Sequence, residues 1–187
     1  MMRHKVIVGF CLVTLLALLT VTPVAAAPQR YSDPQGRYAF TIPNGWQRDD
    51  TPAPLTPPAG LSIDLSLAAP SPAIRLLTVF SRTLPAPMST ASITDEDFSG
   101  IEDVDTTRVG DIQTITVGGQ AARRADYRYV TRGQNVRLVF IVGMSGTTRY
   151  TLSFGALESD AAGRAEFQSI LDSFVFTGLV PRRLGEG

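Results

Sequence analysis

Seven carboxylates, Asp95, Glu96, Asp97, Glu102, Asp103, Asp105 and Asp111, crowd the stretch "TDEDFSGIEDVDTTRVGD". Oxygens at that density could hold a hard cation such as calcium, which takes about six to eight oxygen ligands. The spacing does not match an EF-hand loop. Counted from Asp103, the fifth position is Thr107, and the sixth, where that loop needs glycine, is Arg108. A solvated helix end explains the run more simply. Thr94 would cap a short helix, and Asp95, Glu96 and Asp97 would lie against the positive end of its dipole. Glycoside hydrolysis needs two acids facing each other across a cleft, and nothing here fixes such a pair.

The other charged constellation is basic. Arg124, Arg128 and Arg137 fall on one side of two successive strand patterns, with Asp126 between the first two. Pairing those strands puts Arg128 directly opposite Arg137, and like charges so placed repel unless an anion compensates. Two readings stay open. The arginines form an exposed face tempered by Asp126 and water, or they form a docking patch for an acidic partner, a role that suits guanidinium groups.

Most other chemistries are excluded by composition. The chain's one histidine and one cysteine are His4 and Cys11, and its one lysine is Lys5. From Pro28 onward there is therefore no thiol, no imidazole and no lysine amine. A serine nucleophile lacks the base it needs, and "GMSG" (143–146) reads as a hairpin loop, not a nucleophile elbow. Zinc and thiol chemistry lack their ligands, and a phosphate-binding Gly-Lys-Ser/Thr loop cannot be written. No catalytic residue, metal or cofactor is expected. Without Arg3 and Lys5, 15 arginines face 17 acids, a net charge of −2, which gives no reason to propose nucleic acid as a partner.

The absences matter because the first residues read as a removable signal. Arg3 and Lys5 precede an uncharged apolar run from Val6 to Val21, followed by Pro23 and small residues. Cleavage after Ala27 or Ala26 fits, and a retained anchor is the competing reading. Cys11 lies too early in the apolar run for a lipoprotein. Residues 1–27 are thus expected as a signal peptide, 28–178 as one domain and 179–187 as a disordered tail. The protein is placed outside the cytoplasm, secreted or in the periplasm or envelope, as a monomer.

The elements that must position the charged groups follow from periodicity. Residues 28–35 form a polar lead. "GRYAFTIPNGW" (36–46) is a strand with Tyr38, Phe40 and Ile42 inward, ended by Pro43-Asn44-Gly45, with Trp46 packing on the core. Residues 49–60 form a proline-rich loop. "LSIDLSLA" alternates with Leu61, Ile63, Leu65 and Leu67 inward, and "AIRLLTVFSRTL" is a central strand. A second proline loop leads to the short helix, whose Phe98 and Ile101 face the sheet. Four strands follow near 110–117, 120–130, 135–144 and 148–156. Tyr127 is expected opposite Leu138, and Phe140 opposite Leu152, since a slip would turn apolar side chains outward. A last amphipathic helix carries Phe167, Ile170, Leu171 and Phe174, with Ser159 as cap, and "SFVF" is a candidate edge strand.

"YSDPQGRYAFTIPNGWQ", "VGGQAARRADYRYV", "RYTLSF" and "FQSILDSFVF" resemble the PsbP-like family over most of 31–177. The resemblance implies an α+β fold, a central antiparallel sheet flanked by helices in an α/β/α sandwich, and action by binding instead of catalysis. The expected function is a secreted, non-catalytic module docking to a protein or envelope component. The alternative is a carrier of an apolar small molecule or lipid in a pocket between sheet and helix.

Overall fold

From Gln120 to Leu157 the chain is almost continuous strand, interrupted by only two tight turns. Arg132 (φ 48°), Gly133 (φ 72°) and Gly146 (φ 60°) supply the left-handed residues that close two-residue hairpins, where the turn's twist matches that of the strands. The computed structural model describes residues 27–50, 60–69, 75–99, 101 and 105–177. In chain order its elements are β1 (Gln29–Ser32), β2 (Tyr38–Ile42), β3 (Gln47–Arg48), β4 (Ser62–Ala69), β5 (Arg75–Thr83) and α1 (Glu96–Ser99). Then come β6 (Thr106–Arg108), β7 (Gln113–Val117), β8 (Gln120–Thr131), β9 (Gln134–Ser145), β10 (Thr148–Leu157), α2 (Ala161–Ser173) and β11 (Val175–Phe176).

The strands form two antiparallel sheets. The large one runs β3-β4-β5-β10-β9-β8-β6, with β7 also paired to β8, and the small one runs β1-β2-β11. The small sheet and α2 share one face of the large sheet. Tyr38, Phe40, Phe167, Ile170 and Phe174 pack there on Leu77, Val79, Ile141, Leu152 and Phe154. On the other face Ile93, Phe98 and Ile101 cover Ala125, Tyr127, Val142 and Met144, and the Tyr127 hydroxyl donates to the Phe98 carbonyl at 3.3 Å.

The antiparallel sheet is as expected, but the sandwich of helices is not. Among the described residues only α2 is a helix of several turns. Opposite it stand four-residue α1 and a 3-10 turn at Thr90–Ser92, in the segment that follows Pro85 and Pro87. A second sheet, not a helix, completes the α2 layer. The expected polar lead contains edge strand β1, which pairs Tyr31 with Phe40. It is short and mostly exposed, so it carries no alternating apolar signal. The strand expected near 110–117 is β7, which starts only at Gln113, and β6 is an additional short strand before a break that includes Gly110 (φ 79°).

Tyr127 does lie opposite Leu138. The neighbouring hairpin is one residue off: Phe140 faces Ser153, and Leu152 faces Ile141. Its loop has two residues, so Tyr150, Leu152 and Phe154 join the α2 face instead of the Tyr127 face. The slip argument fails because β9 and β10 are covered on both sides, and a shift need not turn an apolar set into water. On β4, a bulge between Ile63 and Leu65 leaves Ile63 38% exposed and buries Asp64 instead. The α2 cap is Asp160, whose carboxylate accepts from the Gly163 N–H at 2.9 Å, not Ser159. Of the expected signal, 1–26 lie outside the described residues, as do 51–59 of the proline loop and the whole 179–187 tail. Among the described residues no helix is long and apolar enough to cross a membrane.

Candidate functional site

On β8, Ala122, Arg124, Asp126, Arg128 and Val130 share a face by strand alternation, and Ala122 belongs to the α2 core. On β9 the matching residues are Arg137, Val139 and Ile141. Among the described residues α2 packs chiefly on β2 and β10, and beside it the Arg124, Arg128 and Arg137 side chains keep 26%, 46% and 27% exposure. The register places Arg128 opposite Arg137 and Asp126 opposite Val139. All three candidate arginines therefore lie on one partly exposed face.

The chain itself supplies the compensating anions. Asp126 accepts from Arg124 at 2.7 Å and from Arg137 at 2.6 Å. Arg128 donates to both oxygens of Glu158, at 3.0 and 3.2 Å. Glu158 follows β10, and its backbone carbonyl accepts from the guanidinium of Arg164 on α2. Burial pushes the Asp126 carboxyl upward, but the guanidiniums of Arg124 and Arg137 outweigh it and hold it below the usual carboxylate range. The hydrogen bond from Arg128 likewise lowers Glu158. Four arginines against two carboxylates still leave an excess of two positive charges, and Arg128 keeps 46% of its side chain exposed. Val130, 48% exposed, adds an apolar contact on the same face.

Glu158 and Arg164 were not legible as members of this cluster. They lie about 30 residues or more from Arg128 in sequence and arrive only because β10 pairs with β9. The carboxylate run, by contrast, is dispersed. Asp97 pairs with Arg149 and Asp95 with Arg108, and Glu102 and Asp103 lie outside the described residues. Among the described residues no group of three or more acidic side chains could hold a metal ion.

Two further features bear on ligands. The space between sheet and α2 is filled: Phe154 stacks on Phe167 with centroids 4.3 Å apart, and Tyr38 stacks on Phe174 at 5.3 Å. A groove of about 430 Å³ opens instead between the edges of the two sheets, lined by β1, Ile42, Trp46, β3, Leu65 and Leu67. Trp46 is 7% exposed and packs near Phe154, as expected, while its indole N–H donates to Glu166 at 2.8 Å. Arg75 also binds Glu166, at 2.8 Å, and Asp160 at 2.6 Å, which locks α2 to the start of β5.

Neither a protein-family model nor a curated protein matches the chain. Solved structures do. Cyanobacterial PsbP (CyanoP) from Synechocystis sp. PCC 6803 aligns with a TM-score of 0.59 at 20% identity, over 85% of this chain and 98% of that one. LpqN, involved in cell envelope biogenesis of Mycobacterium tuberculosis, aligns with a TM-score of 0.53 at 14% identity, over 81% of this chain and 86% of that one. A Bacteroides thetaiotaomicron structure aligns at 0.52 and 9% identity, with this chain spanning 48% of it. Likeness at such identities speaks for architecture and not for activity. The alignment with cyanobacterial PsbP, over 85% of this chain and 98% of that one, makes this a PsbP-like fold.

Proposed function

We propose that the protein is a non-catalytic binding module working outside the cytoplasm, which docks an acidic surface of a protein or envelope component through Arg124, Arg128 and Arg137. The observation that carries this reading is the excess of guanidinium over carboxylate on a partly exposed sheet face. Arginine suits that task because its planar fork binds carboxylates bidentately and sheds water more readily than an ammonium. An exposed pair such as Arg128–Glu158 contributes little to stability, so exchanging Glu158 for a partner's carboxylate costs the fold little. The lack of histidine, lysine and cysteine from Pro28 onward supports binding over catalysis. The apolar run at 6–21 supports export. LpqN, which shares the fold, is involved in envelope biogenesis, and that setting suits an exported binding module.

Co-purification from the protein's own producer tests the reading. Arg128→Glu with Arg137→Glu should lose the partner recovered with the unaltered protein. Charge reversal at Arg82, on the opposite face of the sheet, should keep it. Equal recovery by both variants would refute docking through this face.

A further inference from the structure

We propose that the seam between the two sheets is a binding site for a free single-chain amphiphile with a carboxylate head. This site is separate from the arginine face and does not depend on it. β1 is an edge strand of the small sheet and β3 the edge of the large one, so the groove runs between two strand margins. Tyr31, Ile42, Trp46, Leu65 and Leu67 give it an apolar lining, and Arg30 and Arg48 are both among its walls. Its volume of about 430 Å³ falls low in the range of small-molecule sites, roughly 300–1,000 Å³. That space suits one alkyl chain and not the two of a bilayer lipid.

Charge decides the head group. Arg30 makes no ion pair with a carboxylate among the described residues. Arg48 pairs with Asp50, and the two side chains are 63% and 84% exposed, so water screens that contact and a ligand can displace it. A carboxylate entering between the two guanidiniums would gain charge-assisted hydrogen bonds while its tail covers the lining. A neutral head would leave both arginines partly desolvated with nothing in return.

Trp46 is the chain's only tryptophan and lines the groove, so its emission reports occupancy directly. Titration of the purified protein with dodecanoate below its micelle concentration should give a saturable change in that emission. Arg30→Gln with Arg48→Gln, both exposed positions, should weaken binding about tenfold with an unchanged unfolding midpoint. Dodecanol should bind about tenfold more weakly than dodecanoate, and Ile42→Phe, which fills the groove, should bind neither. No saturable change with dodecanoate would overturn the proposal. So would dodecanol, or the double arginine variant, binding as tightly as dodecanoate does to the unaltered protein.

Discussion

Arg37 shows how far single residues can depart from their local pattern. Alternation with Tyr38, Phe40 and Ile42 assigns it to the outward side, yet it clamps a network between the two sheets. Its guanidinium meets Asp33 twice at 2.8 Å, donates to Ser81 at 2.8 Å and lies 3.0 Å from Asp64. The Asp33 and Asp64 side chains are only 2% and 7% exposed. Asp64 points inward because of the β4 bulge, and a bulge leaves no trace in alternation, so this network was not legible in the sequence. Removing the one cation from two buried anions is costly, and Arg37→Met should destabilise the protein by about 3–5 kcal/mol in urea unfolding. The hydrogen bond from Arg37 holds the Asp33 carboxyl below its usual range, and Asp126 is held low as well. A carboxyl depressed in the folded state contributes stability above its unfolded value, about pH 4, and loses it as pH falls toward the folded value. With no imidazole after residue 28, stability should be level from about pH 5.5 to 7.5 and fall below about pH 4. Asp33→Asn should make that acid decline shallower, which denaturation at stepped pH would measure.

At the scale of elements, the apolar periods located nearly every long strand and α2, because burial on one face imposes a period. Their ends and partners were harder to read. The Tyr127–Leu138 pairing followed from pattern, since β8 has one polar face beside the arginines. The β9–β10 pairing did not, since β9 is apolar on both faces, Thr151 and Ser153 on the polar side of β10 are themselves buried, and the turn length decided the register. The cap of α2 was displaced from Ser159 to Asp160, whose carboxylate serves both Gly163 and Arg75. Asp160→Ala should therefore cost about 1–2 kcal/mol, the ordinary worth of a cap, while Ser159→Ala should stay within about 0.5 kcal/mol. Equal effects in thermal unfolding would contradict that assignment. Gly118 is a second local test. It adopts φ 56°, and an added Cβ would meet a Phe176 ring carbon at 3.0 Å and the Phe174 carbonyl at 3.2 Å. Gly118→Ala should loosen β11 and lower stability by about 1–3 kcal/mol.

For the whole molecule, the fold follows from where the large sheet is covered and where it is not. α2 and the small sheet bury one half of a face around stacked aromatic rings, and β8 and β9 carry arginines where that cover ends. The three arginines could be read as one cluster from strand alternation alone. Their internal anion Glu158 and their neighbour Arg164 needed the complete topology. In the proposed function a partner docks on the arginine face of β8 and β9. Site-directed photo-cross-linking in the living producer tests it most directly, with the reactive side chain placed at exposed Val130 and, as comparison, at exposed Val175 on the small sheet. The account predicts one discrete adduct from Val130 that disappears with Arg128→Glu and Arg137→Glu, and none from Val175. An adduct from Val175 alone, or one from Val130 that survives the charge reversal, would contradict it.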